Sequence, residues 1–362
     1  MDYLFVTMSL WDEPKRARHH YVDAIIKQSN RNRVIWINRP YISTDSSVHE
    51  GIQDLSDQLI IVHLGKSLLP KFLPRTLEDV FNFDINKKKT LILNSLRNRN
   101  INNYVTICFD YKGLRILKSL PIDSPKFYFC NDFFGPIPKY LYQKRISRYV
   151  TGVICTDPRL KDFFLKFNHR VLFLPHGLHY FDNIEYKKRN ILKKLVYSGT
   201  LNFSLDYLFM TELVNSLDIE LHLIGPIVEI DIQSKKILDS LLQHKRVKYY
   251  GHLDGIVERN LIIQECDICL LPYKKSFNGF VLKYFDYLHV AKPIFSTKYD
   301  SYWLPEYKKF VTFYDNSADL FSQLKSLFDS YEKAVFEEMR CIAKESTWEA
   351  RLKYLYRFIN ED

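Results

Sequence analysis

The chain has 362 residues, 46% of them hydrophobic and 26% charged, with a formal net charge of +10. This length favours two domains, the composition excludes a disordered protein, and no apolar run is long enough to span a bilayer. The N-terminus lacks a basic segment followed by a cleavage site, so we expect a cytoplasmic protein.

Short apolar runs alternate with helical patterns along the chain, which predicts parallel sheets with helices on both faces. In the first half the expected strands are 3–8, 33–38, 58–64, 104–109, 126–130, 152–155 and 170–174, and the expected helices are 18–29, 86–99, 137–149 and 158–167. In the second half the expected strands are 194–198, 219–224, 247–250, 267–271, 293–296 and 310–313. The expected helices there are 204–216, 233–244, 256–266, 281–290 and 317–329. The fold class is therefore α/β, with Rossmann-like domains at 1–180 and 194–330 and a linker at 181–193.

The excess positive charge lies entirely in the first half. Residues 1–180 hold 27 Lys and Arg against 16 Asp and Glu, whereas the remainder holds 25 against 26. Such asymmetry predicts an anionic partner for the first domain. Nucleic acid is not favoured, because aromatic residues do not interleave with the cations as stacking platforms require.

Polar side chains follow three predicted strands of the first half, where parallel sheets bind ligands. The candidates are Trp11, Arg16, Arg18, His19, His20, Asp110, Asn131 and Asp132. The acidic and amide side chains could orient a hydroxyl group, or they could cap helices. The histidines could equally be satisfied surface residues.

In the second half, two strand ends carry glycine, and a third leads into a polar loop and a helix. The candidates are Ser198, Gly199, Thr200, Gly225, Tyr273, Lys274, Asn278, Gly279, Lys283 and Asp286. Glycine lets backbone approach a phosphate, lysine supplies a cation, and a carboxylate suits ribose hydroxyls. An ordinary solvated loop explains the same residues.

The run LLPYKKSFNGFVLKYFDYLHVAKPIFST at 270–297 resembles the donor-binding segment of group 1 (family four-like) glycosyltransferases of the GT-B fold. The resemblance implies two Rossmann-like domains with parallel sheets facing across a cleft. It also implies that the helices at 331–362 cross back to the first domain, and that His176 lines the cleft. Residues 1–180 would then form the acceptor domain and residues 194–330 the nucleotide-sugar donor domain.

The chain departs from this family at two places. No Arg or Lys occurs between Gly199 and Glu212, where relatives place a pair for the diphosphate, so Lys274 and Lys283 are the expected substitutes. Relatives carry two glutamates eight positions apart, whereas this chain has Asn278 and Asp286. Asn278 can hydrogen-bond a donor sugar but cannot act as a base.

The predicted function is a metal-independent transfer from a nucleotide-sugar, expected to be UDP-linked and retaining. No Asp-x-Asp stands at a strand end to hold a metal, and no cofactor is expected. The resemblance implies a lipid-linked or polysaccharide acceptor. The abundance of Ile, Lys, Asn, Phe and Tyr fits an AT-rich bacterial locus of the kind that encodes surface polysaccharides such as lipopolysaccharide or capsule. The alternatives are a nucleotide-sugar epimerase and a non-catalytic glycan-binding relative.

Residues 64–99 mix apolar side chains with eight cations against three acids. This pattern fits peripheral attachment to the anionic inner face of the plasma membrane. It equally fits a helix with one buried and one solvated face. The six cysteines lie mostly in apolar runs, as free cysteines do in a reducing compartment.

Overall fold

The computed structural model describes residues 1–361 except 8, 13–14, 40–49, 66–84, 132–136, 254, 278–280, 282, 300–302, 304 and 317, and except the side chains of 137–139. The chain forms two compact units. The first contains Met1–His176 and Trp348–Asp362, and the second contains Gly177–Thr347. No helix within the described ranges is long and apolar enough to cross a membrane.

The first unit is built on an eight-stranded sheet. Its strands are β1 (Asp2–Val6), β2 (Arg33–Ile37), β3 (Gly51–Ser56), β4 (Leu59–His63), β5 (Tyr104–Cys108), β6 (Lys126–Cys130), β7 (Gly152–Cys155) and β8 (Val171–Phe173). Their order is β3-β4-β2-β1-β5-β6-β7-β8, and only β3 runs antiparallel to its neighbour. The central strands are buried along their whole length because helices cover both faces of the sheet.

The helices of this unit that precede the second unit are α1 (Ala17–Gln28), α2 (Ile85–Arg97), α3 (Leu114–Ser119), α4 (Ile137–Tyr149) and α5 (Pro158–Leu165). Helix α5 begins where the sequence favours it. The Asp157 carboxylate accepts the Arg159 N–H at 2.9 Å, and Pro158 occupies the first helical position. Helices α2 to α5 pack on one face of the sheet, and α1 packs on the other.

The second unit contains a six-stranded parallel sheet in the order β11-β10-β9-β12-β13-β14. Its strands are β9 (Lys194–Ser198), β10 (Glu220–Ile224), β11 (Val247–Tyr249), β12 (Ile268–Leu271), β13 (Ile294–Ser296) and β14 (Val311–Phe313). Its helices are α6 (Tyr207–Ser216), α7 (Ile232–Leu242), α8 (Ile256–Gln264), α9 (Lys283–Val290), α10 (Pro305–Lys308), α11 (Leu320–Ser330) and α12 (Lys333–Glu345). A hydrophobic core surrounds this sheet.

The C-terminal helix α13 (Trp348–Asn360) belongs to the first unit, where it packs against α1. Its apolar stripe, Trp348, Leu352 and Leu355, joins the core that α1 covers. The break before α13 lies at Ser346 and Thr347. Helix α12 differs from the expectation, because it belongs to the second unit, where it packs on α9.

Two further expectations need correction. Strand β3 was not predicted, because its polar, largely exposed residues GIQDLS form an edge strand that pairs only with β4. Residues 181–193 do not behave as a free linker. They pack into the second unit, where Ile184 and Leu192 are buried in the core and Tyr186 contacts Tyr331 at 5.8 Å between ring centroids.

Candidate functional site

The carboxyl end of β9 is a tight backbone turn at Ser198, Gly199 and Thr200. Gly199 has a φ of +153°, and its N–H donates to the Ile224 carbonyl at 2.7 Å. The Ser198 N–H donates to the phenol oxygen of Tyr287, a buried residue of α9, at 2.9 Å. The turn is therefore fixed by β10 on one side and by α9 on the other.

Gly225, at the end of β10, approaches the Gly199 backbone too closely for a side chain at position 225. Its φ is +133°, and a Cβ atom there would overlap the Gly199 carbonyl oxygen. The Tyr249 hydroxyl donates to the Gly225 carbonyl at 3.0 Å, and the Gly225 N–H donates to the Gly251 carbonyl at 2.7 Å. Only glycine combines this backbone conformation with this close approach.

Lys283, the first residue of α9, lies over this pair of glycines. A Cβ atom on Gly199 would overlap the Lys283 side chain, and the Lys283 Nζ lies 5.9 Å from the centroid of the Tyr197 ring. Burial lowers the pKa of Lys283, the nearby Arg259 lowers it further, and Asp286 opposes both. The structure thus places a partly buried ammonium group directly beside the backbone turn of β9.

Arg259 of α8 joins this cluster, although the sequence analysis did not select it. Its Nη2 lies 3.3 Å from Oδ1 of Asp286, with 27% and 33% of the two side chains exposed. The Arg259 Nε is buried and has no hydrogen-bond partner among the described residues. Arg259 is the fourth residue of α8, and Lys283 is the first residue of α9. Both cations therefore lie near the positive end of a helix dipole, which disfavours positive charge.

Two other donor-side candidates have different surroundings. The ring of Tyr273 is buried and stacks on Phe277 at 4.4 Å between centroids, which makes it a packing residue. The Lys274 Nζ donates to the Ser234 hydroxyl at the start of α7, at 3.1 Å. Lys274 is therefore tied to α7, whereas Lys283 lies at the β9 turn.

In the first unit, the loop after β1 is filled by its own side chains. His19 is buried, its Nδ1 accepts the Arg16 N–H at 3.0 Å, and its ring lies 4.7 Å from Trp36. Trp11 meets the same Trp36 ring edge-on at 5.1 Å. The Arg18 guanidinium donates to the Ser9 hydroxyl. These contacts hold the start of α1, and burial together with Arg18 lowers the pKa of His19.

His20 and His176 both lie against Trp348 of α13. The His20 ring stacks on Trp348 at 5.0 Å, and the His176 ring meets it at 6.2 Å. Burial, with the nearby Arg351 and His20, lowers the pKa of His176 to about 4. His176, which the family resemblance places in a cleft, is a buried side chain that contacts α13.

The remaining first-unit candidates differ from one another. Asp110 caps the short turn before α3, because its carboxylate accepts the Lys112 N–H at 2.9 Å. Asn131 follows β6, and its side-chain oxygen is buried without a partner among the described residues. Three sequence candidates, Asp132, Asn278 and Gly279, lie outside the described residues.

The residues that the sequence analysis missed are Arg259, Tyr287 and Tyr249. A signal for Arg259 was present, since a cation near the start of a helix is unfavourable without an anionic partner. The two tyrosines act through hydroxyl groups that hold the β9 and β10 ends. Nothing in their local sequence distinguishes them from core aromatic residues.

Solved structures match the chain from end to end. The apo structure of OtsA aligns with a TM-score of 0.68 at 9% identity, covering 100% of both chains. The apo form of the lipopolysaccharide outer core galactosyltransferase WaaB aligns at 0.63 with 13% identity, covering 99% of both. HepE of Anabaena in complex with UDP-glucose aligns at 0.64 with 12% identity, covering 99% of this chain and 98% of HepE.

The chain has the GT-B fold. Identities this low establish the fold and leave the reaction to be argued from the site. No protein-family profile matches the chain, and no curated protein matches its sequence.

The possible metal ligands complete the description of the site. Within the described ranges, no three or more His, Cys, Asp or Glu side chains are grouped so as to hold a metal ion. The six cysteines are free, and only Cys341 is exposed. Burial raises the pKa of the Cys266 thiol to about 12, so it stays protonated at neutral pH.

Proposed function

We propose that the chain is a glycosyltransferase that uses a nucleotide-sugar donor, and that the second unit binds the donor diphosphate beside Gly199. The observation that carries this proposal is the placement of Lys283 and Arg259. Both cations lie near helix starts, where the helix dipole disfavours positive charge, and Lys283 lies directly on the β9 turn. A bound diphosphate would neutralise both cations and interact favourably with both helix ends.

The shape of the site supports the same ligand. Because Gly199 has no side chain, its backbone lies next to the Lys283 ammonium group, and a phosphate could contact both. Asp286 accepts from Arg259 at 3.3 Å and keeps one carboxylate oxygen for a ribose hydroxyl. We therefore assign the diphosphate to Lys283 and Arg259, and the ribose to Asp286.

UDP is the nucleotide to test first. HepE of Anabaena, which shares the fold over its whole length, was solved with UDP and with UDP-glucose. We propose a UDP-linked donor for this chain on that likeness and on the diphosphate chemistry of the site.

We propose a retaining transfer. The bond between the anomeric carbon and the diphosphate oxygen breaks, and a bond from the acceptor hydroxyl oxygen to that carbon forms on the same face. The hydroxyl proton passes to the departing diphosphate, so no protein base is needed. Lys283 and Arg259 would stabilise the negative charge that develops on the leaving group.

The acceptor belongs to the first unit in this proposal. Asn131 has a buried side-chain oxygen with no partner in the described part of the chain, at the carboxyl end of β6. An acceptor hydroxyl could donate to it, with Asp132 beside it in sequence. A lipid-linked or polysaccharide acceptor remains the proposed class, and attachment to an anionic membrane through residues 64–99 remains a prediction, because 66–84 lie outside the described residues.

Titration calorimetry with UDP tests the donor site. Lys283→Gln should weaken UDP binding tenfold or more, because a charge-assisted contact to phosphate is worth about 1.5–3 kcal/mol. Lys236→Gln, on the exposed surface of α7, is the matched control and should bind UDP like the unmodified chain. Equal UDP affinity of a folded Lys283→Gln variant would remove the diphosphate from this turn.

A second assay tests whether turnover of the donor requires a metal ion. Release of UDP from UDP-glucose and from other UDP-sugars should persist in excess EDTA, because cations of the chain replace a metal on the diphosphate in this proposal. Loss of turnover on chelation, with recovery in Mg²⁺ or Mn²⁺, would show that a metal is required.

A further inference from the structure

A cavity of about 540 Å³ lies between α3 and α4 of the first unit, whereas every residue assigned above to the donor belongs to the second unit. Four cations line it: Arg115 and Lys118 from α3, and Arg145 and Arg148 from α4. Tyr142 and Tyr149 complete its polar wall. Among the described residues no carboxylate lines the cavity, and the sequences of the two helices contain no Asp or Glu.

The cations of this cavity are not neutralised by the fold. None of the four makes an ion pair with a described residue. Lys118 lies 5.8 Å from the Tyr149 ring centroid, and Arg148 lies 5.4 Å from that of Phe167. Such aromatic contacts leave the positive charge in place, so four like charges are held around one space.

The walls of the cavity are held by contacts that leave the cationic groups available. The Tyr149 hydroxyl donates to the Leu117 carbonyl at 3.3 Å, which ties the end of α4 to α3. At the other end, the Tyr142 ring stacks on Tyr111 at 5.8 Å between centroids. The two helices therefore keep their spacing without help from the charged side chains.

We propose that this cavity binds a phosphate group carried by a larger ligand. Guanidinium groups bind phosphate oxygens through paired N–H donors, and three of the four lining cations are arginines. The cavity is several times larger than a phosphate group, which leaves room for the organic part of the ligand. A phosphomonoester in solution and a phospholipid headgroup share this chemistry.

The test uses an Arg115→Gln/Arg145→Gln double variant of the full chain. Neither arginine supports a neighbour through a hydrogen bond or an ion pair within the described residues, so the variant should fold. Its melting temperature should stay equal or rise, because like-charge repulsion is relieved. The matched control is Lys161→Gln/Lys166→Gln, two exposed cations on or just after α5 that do not line the cavity.

Two probes separate the possible sources of the phosphate. Calorimetric titration with inorganic pyrophosphate, run with UDP present in excess to occupy the proposed donor site, should show binding that the double variant loses by tenfold or more and the control retains. Sedimentation with phosphatidylglycerol vesicles, compared with phosphatidylcholine vesicles, measures the headgroup. A loss with pyrophosphate identifies a site open to soluble phosphates, and a loss with vesicles alone identifies a headgroup site.

Either loss supports the proposal. If the double variant binds pyrophosphate and vesicles as tightly as the control, the cavity is not a phosphate site and the proposal is overturned. The same holds if the unmodified chain binds neither probe. UDP binding, measured in parallel, reports on the donor site of the other unit, so failure of one proposal is distinguishable from failure of the other.

Discussion

The two units use the loop after their first strand in opposite ways. In the second unit, the loop after β9 has glycine at its turn, and a partly buried Lys283 lies next to that glycine. In the first unit, the loop after β1 is filled by Trp11 and His19, which pack on Trp36. The same position in a parallel sheet can therefore carry a glycine turn beside a lysine or a packed aromatic cluster, and the side chains decide which.

The largest expected effect comes from adding a side chain at either of the two glycines that follow β9 and β10. Gly225→Ala should lower the free energy of unfolding by at least about 2 kcal/mol, because it adds a strained φ to a clash with backbone. Gly199→Ala should lower the free energy of unfolding by less, since its Cβ meets the flexible end of Lys283. It should nevertheless abolish UDP binding. Chemical unfolding and calorimetry measure both variants.

The comparison is contradicted if Gly199→Ala lowers the free energy of unfolding more than Gly225→Ala does. A Gly225→Ala variant as stable as the unmodified chain would show that β10 moves away from β9 without cost. Retained UDP binding by Gly199→Ala would show that Lys283 reaches the diphosphate from another position, or does not contact it.

Asp286→Ala should give the next largest effect, a loss of about 1–3 kcal/mol in UDP binding free energy, from its hydrogen bonds to ribose and to Arg259. Asp286→Asn keeps the shape of the side chain and one acceptor oxygen, so it should lose less UDP binding free energy than Asp286→Ala. Calorimetry with UDP and with uridine separates the roles, because uridine lacks the diphosphate. Tighter UDP binding by Asp286→Ala would mean that the carboxylate screens Arg259 and does not hold the ribose.

The sequence predicted the parallel architecture well and the site only in part. Buried strands such as β6 and β7 are continuous apolar runs, which sequence patterns detect directly. The glycine turn and Lys283 followed from their position after predicted strands. Arg259 was missed, because its position near the start of α8 indicates only an unfavourable cation, and its pairing with Asp286 depends on the approach of α8 to α9.

The histidines show a limit of reasoning from residue type and local position. His19 and His20 have the residue type of a catalytic site and the position after a strand, so the sequence made them candidates. Their neighbours are aromatic rings distant in sequence, Trp36 for His19 and Trp348 for His20. Residue type and local position cannot distinguish a reactive histidine from one that packs between such rings.

His19→Ala should therefore reduce stability and leave donor chemistry unchanged. Loss of the Arg16 N–H acceptor and of ring packing should cost about 1–2 kcal/mol in unfolding free energy. His19→Asn, whose side-chain oxygen can accept the same N–H, should recover part of that loss. A stable variant that binds UDP but no longer turns over a UDP-sugar would instead make His19 catalytic.

The smallest expected effect is a pH dependence of stability that both units share. Burial lowers the pKa of His176 in the first unit to about 4, with Arg351 and His20 adding to the shift. Burial lowers the pKa of His289 in the second unit to about 3, with Arg340, Arg259 and His179 adding to it. Each histidine is therefore neutral when folded, whereas in the unfolded chain it takes up a proton as the pH falls through about 6.5.

Stability from each histidine is thus fully present above pH 6.5 and is lost as the pH falls, levelling off near the folded pKa. The protonation of each histidine in the unfolded chain should lower the free energy of unfolding by about 1 kcal/mol between pH 7.5 and pH 6. His176→Gln should flatten this dependence in the first unit only, and His289→Gln in the second unit only. Hydrogen–deuterium exchange by mass spectrometry, run across this range, assigns the loss to a unit. An unchanged slope in His176→Gln would mean that the first unit admits water or a counter-charge beside Trp348, so that its packing is looser than its contacts indicate.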